Sequence, residues 1–381
     1  MINRPDYIAA IGPFIDKPLV KILAGIRRCG KSTIFEMLRE ELLRRGIGED
    51  QIICKRYTEM DIPENITAKQ MYDELTAAMA GKGHCYLLLD EIQEITGWEK
   101  AVNSLLESAD ADIYVTGSNS KLMSSEISTY LTGRYVSIPV YTLSFKEYLD
   151  FKADSTLSRR ELLEEYIRFG GFPIIALSEY DEQSAYQIVN GIYHTVVSRD
   201  IVKRHRINKQ DLFDRVVKYI IENMGKTFSA NSISTFLKSE HRKVSVESIY
   251  NYLRWLEQAF IIYPCERYDL QGKSILKTQE KYYLADVSLK YALLGYNRKM
   301  LDGAMENIVY LELKRRGYDV YIGKNDTKEI DFVATRRDER IYVQVCVQIP
   351  EASDREVGNL MEIRDHYPKY VVTLNEMDTG I

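Results

Sequence analysis

Two short stretches hold the residues best suited to chemistry. In GIRRCGKST, Gly25 and Gly30 bracket four residues and are followed at once by Lys31 and Ser32. That spelling fits the phosphate-binding loop: a glycine-bearing turn presents consecutive N–H groups to an anion, a lysine reaches the β- and γ-phosphates, and a hydroxyl ligates Mg²⁺. The cradle would be Gly25, Ile26, Arg27, Arg28, Cys29, Gly30, Lys31, Ser32 and Thr33, with Lys31 on the phosphates and Ser32 on the metal. Further along, CYLLLDEIQEI ends an apolar run in Asp90 and Glu91. At the carboxyl end of a buried parallel strand, Asp90 suits the second Mg²⁺ ligand and Glu91 a general base that orients and activates water. The chemistry implied is binding of ATP with Mg²⁺ and its hydrolysis.

The flanking segments supply the elements that must position these groups. LVKILA reads as a short buried strand, and STIFEMLREELLRR carries Ile34, Phe35, Leu38 and Leu42 at helical spacing, so strand, glycine loop and helix follow in the required order. ADIYVTGSNS is another short strand, ending at Thr116, Ser118 and Asn119. A polar residue at this tip would sense the γ-phosphate or hold the attacking water, with Asn119 or Ser118 as candidates and a simple turn as the alternative. YLTGRYVSIPV places Arg134 ahead of a fifth strand, either as an arginine finger, in cis or across a subunit boundary, or as a surface residue.

The series GIRRCGKST, LLLDEIQ, VTGSNSKLM, LTGRYVSIPVYTLSFKEYL and FGGFP resembles a prokaryotic family of AAA+ ATPases whose carboxyl-terminal region is a domain of unknown function. The resemblance covers nearly the whole chain, more closely up to Pro173. It implies an α/β fold, the P-loop NTPase (AAA+/ASCE) parallel sheet of five strands with the Walker strand central, followed by a helical lid. GGFP also resembles the glycine-proline element of STAND-type ATPases, which implies that Pro173 lies near the adenine; Gly-Gly-Pro equally signals a helix stop.

Four segments are expected: an AAA+ core over residues 1–150, a helical lid over 151–208, a winged-helix domain over 209–290 and a small αβ domain over 291–381. The lid ends in a basic cluster of Lys203, Arg204, Arg206 and Lys209 around His205. In the winged helix the third helix is expected to turn Val246, Ile249, Tyr250, Leu253 and Leu256 inward and Ser245, Ser248, Asn251, Tyr252 and Arg254 outward. Lys238, Arg242, Lys243, Lys273 and Lys277 are its candidate DNA-backbone contacts, against which Glu247 would repel phosphate. The last segment resembles the PD-(D/E)xK nuclease core, with Glu306 on a helix, a strand to Asp331 and a strand spelling VQVCV. Where active members carry a carboxylate and a lysine, it has Gln344 and Cys346, so a nuclease-like fold without cleavage is expected.

A chain of 381 residues that is 45% hydrophobic can bury more than one core. No stretch is apolar enough for a membrane helix, and MINRPDYIAA lacks the order of a signal peptide, so a cytoplasmic protein is expected. Five scattered cysteines have neither zinc nor disulfide spacing, and a net charge of −5 confines any nucleic-acid contact to local patches. The expected function is an ATPase that couples turnover to domain movement, acting on DNA. The alternatives are a STAND-like switch with a protein partner and an active nuclease, and relatives of this kind allow a homo-oligomer.

Overall fold

The computed structural model describes residues 3–58, 66–123, 125–207, 209–239, 241–242, 244–272, 274–297, 301–349 and 355–375. The chain divides into two compact units: Met1–Thr142 with Gln258–Phe260, and Leu143–Glu257 with Ile261–Ile381.

The first unit alternates helices and strands: α1 (Pro5–Ile11), β1 (Val20–Ala24), α2 (Lys31–Arg44), β2 (Ile52–Arg56), α3 (Ala68–Met79), β3 (Cys85–Asp90), α4 (Trp98–Ser108), β4 (Ala111–Gly117), α5 (Ser125–Tyr130) and β5 (Tyr135–Pro139). Its strands form one five-stranded parallel sheet in the order β2-β3-β4-β1-β5. Every residue of β1 and β3 is buried, as expected of strands covered on both faces. Even Lys21 is inside, neutralised by a salt bridge to Asp112. The expectation of a central Walker strand needs correction: β4 is central, and the strands ending at the glycine loop and at Asp90 flank it. Because all strands run the same way, the ends of β1, β3 and β4 converge on one rim.

The second unit begins with α6 (Phe145–Phe151), α7 (Arg159–Phe169), α8 (Pro173–Ala176) and α9 (Glu182–Val196). Ser144 with Glu147 and Ser158 with Glu161 form capping boxes that start α6 and α7. A π-helical segment, Val197–Lys203, continues α9. Then come α10 (Gln210–Glu222), α11 (Ala230–Ser239), α12 (Val246–Gln258), the antiparallel hairpin β6 (Ile262–Asp269) and β7 (Ser274–Leu284), α13 (Ser288–Leu294), α14 (Leu301–Arg315), β8 (Asp319–Asn325), β9 (Lys328–Arg336), β10 (Glu339–Cys346), α15 (Arg355–Met361) and β11 (Lys369–Thr373). The six strands form one sheet, β11-β10-β9-β8-β6-β7, in which β6 runs parallel to β8 with Arg267 opposite Ile322. The hairpin expected to be a wing is thus continuous with the sheet of the last segment.

The buried face of α12 also differs from the expected one. Ile249, Tyr252, Leu253 and Leu256 are buried, whereas Tyr250 is 56% exposed. Positions i, i+3, i+4 and i+7 counted from Ile249 form one stripe, and Tyr252 lies edge-on to Phe213 of α10 at 5.2 Å, which anchors that phase. Among the described residues no helix is long and apolar enough to cross a membrane.

Candidate functional site

The glycine loop leaves β1 under tight backbone constraint. The Gly25 N–H donates to the Gly117 carbonyl at 3.2 Å. A Cβ on Gly25 would sit 2.0 Å from the Val140 carbonyl oxygen, so only glycine fits. Gly30 then takes φ 102°, a conformation that side chains disfavour, and turns the chain into α2. No side chain caps the amino end of α2, so its first N–H groups and the positive end of its dipole face the loop. From behind, the buried Arg4 donates to the Cys29 carbonyl at 2.8 Å and to the Tyr141 carbonyl at 3.0 Å, fixing the loop to the end of the sheet. Cys29 is fully buried, and burial pushes its thiol up and away from the reactive thiolate.

The chemical groups meet on the rim. Lys31 is 4% exposed, its Nζ donating to the carbonyls of Gly25 at 2.9 Å and Ile26 at 3.2 Å and lying 3.6 Å from Glu91 Oε1. Ser32 Oγ donates to Asp90 Oδ2 at 2.7 Å. Thr116, at the end of β4, donates to Asp90 Oδ1 and accepts the Glu91 N–H at 3.0 Å. Glu91 itself has φ 54°, a costly backbone for a residue with a side chain. Ser118 donates to its Oε2 at 3.2 Å, Gln93 donates to the same oxygen, and Arg27 Nη1 stands 3.8 Å away. Burial pushes the Glu91 carboxyl up, but Lys31, Arg27 and the donors Gln93 and Ser118 outweigh it and hold the carboxyl below the usual glutamate range. The Glu91 carboxyl is therefore ionised at neutral pH.

An anion and a hard cation both fit these groups. The uncapped helix end and Lys31 suit phosphate, and the Ser32 hydroxyl with the Asp90 carboxylate is the all-oxygen donor pair that Mg²⁺ prefers. On the β2 side, Arg56 Nε donates to Asp90 Oδ2 at 3.1 Å, beside a cavity of about 120 Å³ that Ser32, Phe35 and Lys55 help line.

The remaining expected residues are spread out. Asn119 is 3% exposed just past the end of β4, on the same rim. Arg134 is at the other end of the sheet: it precedes Tyr135, which pairs with Val20 at the start of β1, whereas the glycine loop leaves β1 beyond Ala24. There it pairs with Glu107 at 2.6 Å and donates to Asn103 at 3.0 Å, so the finger in cis does not hold. The sequence already carried this signal, since a residue ahead of a parallel strand lies opposite a loop that follows one. Pro173 opens α8 in the second unit. The contributions of Arg4, Arg56 and Gln93 escaped the sequence reading because each acts across long chain separations or on a neighbour's carboxylate.

In the second unit, Asp331 accepts the Val345 N–H at 2.8 Å and donates its own N–H to Gln344 Oε1 at 3.3 Å. Cys346 is buried at the end of β10. A lysine absent from the expected constellation enters from β7: Lys281 lies 3.4 Å from Glu306 and 2.8 Å from Glu329, and Tyr283 donates to Glu306 at 3.0 Å. Burial raises the Glu306 carboxyl despite Lys281. Burial also pulls the Lys281 ammonium down, but Glu306, Glu329 and Asp331 outweigh it and raise it. Lys203, Arg204, Arg206, Lys209 and Lys238 are exposed, His205 stacks on Trp255 at 4.3 Å, and Arg242 is engaged by Asp211. Lys243 and Lys273 lie outside the described residues, and Lys277 belongs to β7.

Comparison with known proteins agrees with the fold of the first unit. A family profile described as "AAA domain" matches residues 17–149, and one described as "Domain of unknown function" matches 160–299. A Walker-type ATPase of Pyrococcus abyssi, 15% identical, superposes with a TM-score of 0.55 over 77% of this chain and 96% of its own, a likeness of fold. The first unit is an AAA-type P-loop domain. Over the full length, an uncharacterized Haemophilus influenzae protein is 38% identical across 98% of this chain and 93% of its own. An uncharacterized protein of Methanocaldococcus jannaschii is 32% identical across 89% of this chain and 77% of its own. The chain belongs to the family of these two prokaryotic proteins.

Proposed function

We propose that the protein is a Mg²⁺-dependent ATPase that couples turnover to movement of its second unit and acts on DNA. One observation carries the ATPase reading: four groups contributed by two chain segments meet on one rim, Ser32 2.7 Å from Asp90 and Lys31 3.6 Å from Glu91. Phosphoryl transfer needs mainly positioning and charge neutralisation, which such a set supplies. Lys31, now on the Gly25 and Ile26 carbonyls, would turn to the β- and γ-phosphates, and the N–H groups of residues 25–33 would cradle them. Ser32 and Asp90 would hold Mg²⁺, whose charge neutralises the developing phosphate charge. Glu91, ionised and steadied by Gln93 and Ser118, would orient the attacking water and take its proton. Asn119 is the group proposed to sense the γ-phosphate, and Pro173 the residue proposed near the adenine. A finger role for Arg134 requires a second copy, and hence a homo-oligomer.

The DNA reading rests on the exposed cluster Lys203, Arg204, Arg206 and Lys209 and on Tyr250, which α12 turns outward. The test is steady-state ATP hydrolysis with and without single-stranded, duplex and branched DNA, with Glu91→Gln as the blank. Stimulation by one form that fades as salt rises supports a DNA-acting ATPase. Hydrolysis indifferent to every DNA moves the assignment to a switch with a protein partner, and equal hydrolysis by Glu91→Gln overturns the base assignment.

A further inference from the structure

Asp90 is more heavily engaged than a metal ligand needs to be. Thr116 donates to Oδ1, and Ser32 and Arg56 both donate to Oδ2. A carboxylate oxygen has two lone-pair sites, so Oδ2 is filled by these two donors. The Ser32 hydroxyl can rotate its hydrogen away and offer the same oxygen to a cation. Arg56 cannot: its guanidinium has no acceptor and a permanent positive charge, which repels a divalent ion from the carboxylate it holds. The pairing is built into the backbone, since Arg56 ends β2 directly opposite Asp90 and the Tyr57 N–H donates to the Asp90 carbonyl at 3.1 Å. The two partners differ in exposure: the Arg56 side chain is 44% exposed and that of Asp90 only 6%.

We propose that Arg56 is a positioning residue that gates the divalent cation, occupying Asp90 until a metal–nucleotide pair displaces it. Asp90 stays fixed while Arg56 swings off its oxygen, beside the cavity lined by Ser32, Phe35 and Lys55. The end of β2 thereby reports whether the metal is bound. This inference rests on the ATPase reading, and it separates metal affinity from nucleotide affinity.

The test follows binding rather than turnover. Fluorescent ATP analogue binding is measured across a Mg²⁺ titration for the full chain and for Arg56→Gln and Arg56→Lys, and Mn²⁺ binding without nucleotide is followed by electron paramagnetic resonance. Removing one partly exposed ion pair of this kind should lower the half-saturating Mg²⁺ roughly 3- to 5-fold in Arg56→Gln. Mn²⁺ should tighten by a similar factor, metal-free nucleotide affinity should hold, and Arg56→Lys should stay near the parent. An unchanged or higher half-saturating Mg²⁺ in Arg56→Gln, with the thermal melt of the parent retained, overturns the gate. A parent chain that binds Mn²⁺ but no nucleotide at any Mg²⁺ concentration instead sinks the ATPase reading, and the Mn²⁺ comparison still decides the gate.

Discussion

Each unit holds a cluster of carboxylates and cations, and the two are wired differently. In the first unit the partners of Asp90 and Glu91 are hydroxyls, an amide and the partly exposed Arg56, and the nearest cations to Glu91 stand off at 3.6 and 3.8 Å. In the second, Lys281 lies between Glu306 and Glu329 with 5% of its side chain exposed, and Asp331 is taken up by the Val345 N–H. Hydroxyls can change partners when an ion or phosphate arrives. A buried lysine between two carboxylates has already supplied the cation, and removing it leaves charge without compensation. Local density of charge therefore says little about function; what counts is whether the partners can be exchanged.

Substitutions can break that contrast, and the largest effect belongs to the first cluster. Lys31→Ala is expected to abolish nucleotide binding or turnover, and Glu91→Gln to cut steady-state ATP hydrolysis by about 10² to 10⁴ while bound ATP is retained in filter binding. If Glu91→Gln releases nucleotide as it loses turnover, Glu91 organises the loop rather than the water. Next is Lys281→Met, which strands the buried Glu306 carboxylate; a loss of about 3 kcal/mol in denaturant titration is expected, with ATPase activity retained. Loss of hydrolysis in a Lys281→Met chain that still folds would give the second cluster a role beyond stability.

The pH dependence sharpens the comparison. Glu91 is held below the ordinary glutamate value of about 4.3, so what its charge contributes to stability is complete above that value and is lost as pH falls through the depressed one. The stability gap between the parent and Glu91→Gln should thus be flat at neutral pH and close only in strong acid. A gap that already closes near pH 6 would mean that Lys31 and Arg27 do not hold the carboxylate ionised. The smallest effect is expected at the surface: Lys203→Ala with Arg204→Ala should flatten the salt dependence of DNA-stimulated hydrolysis by about one unit of slope for each DNA phosphate left unneutralised.

How much of this was legible in the sequence depends on chain separation. Gly25 to Thr33 and Asp90-Glu91 are local spellings next to apolar runs, and the order β1, loop, α2 followed from them. The order β2-β3-β4-β1-β5 did not, because which strand enters between β1 and β3 is settled by crossovers and not by any one segment. Arg4 reaching the Cys29 carbonyl and Arg56 reaching Asp90 are pairings over long stretches of chain that periodicity cannot show. On α12 the pattern identified a helix but mistook its phase, since Tyr250 and Tyr252 are equally apolar by type and only the packing of Tyr252 on Phe213 selects between them.

The parallel pairing of β6 with β8 bears on where this chain can be cut. The matched domain of unknown function ends at residue 299, after the β6–β7 hairpin and ahead of β8. A truncation there would keep two strands of a six-stranded sheet and strip β6 of its neighbour, baring a row of unpaired N–H and C=O groups. Isolated hairpins are marginal in water, and such an exposed edge is a template for intermolecular pairing. Fragments that stop at that boundary should aggregate, whereas those carried through β11 keep the sheet whole, so the smallest stable piece of the second unit is longer than the domain that sequence comparison outlines.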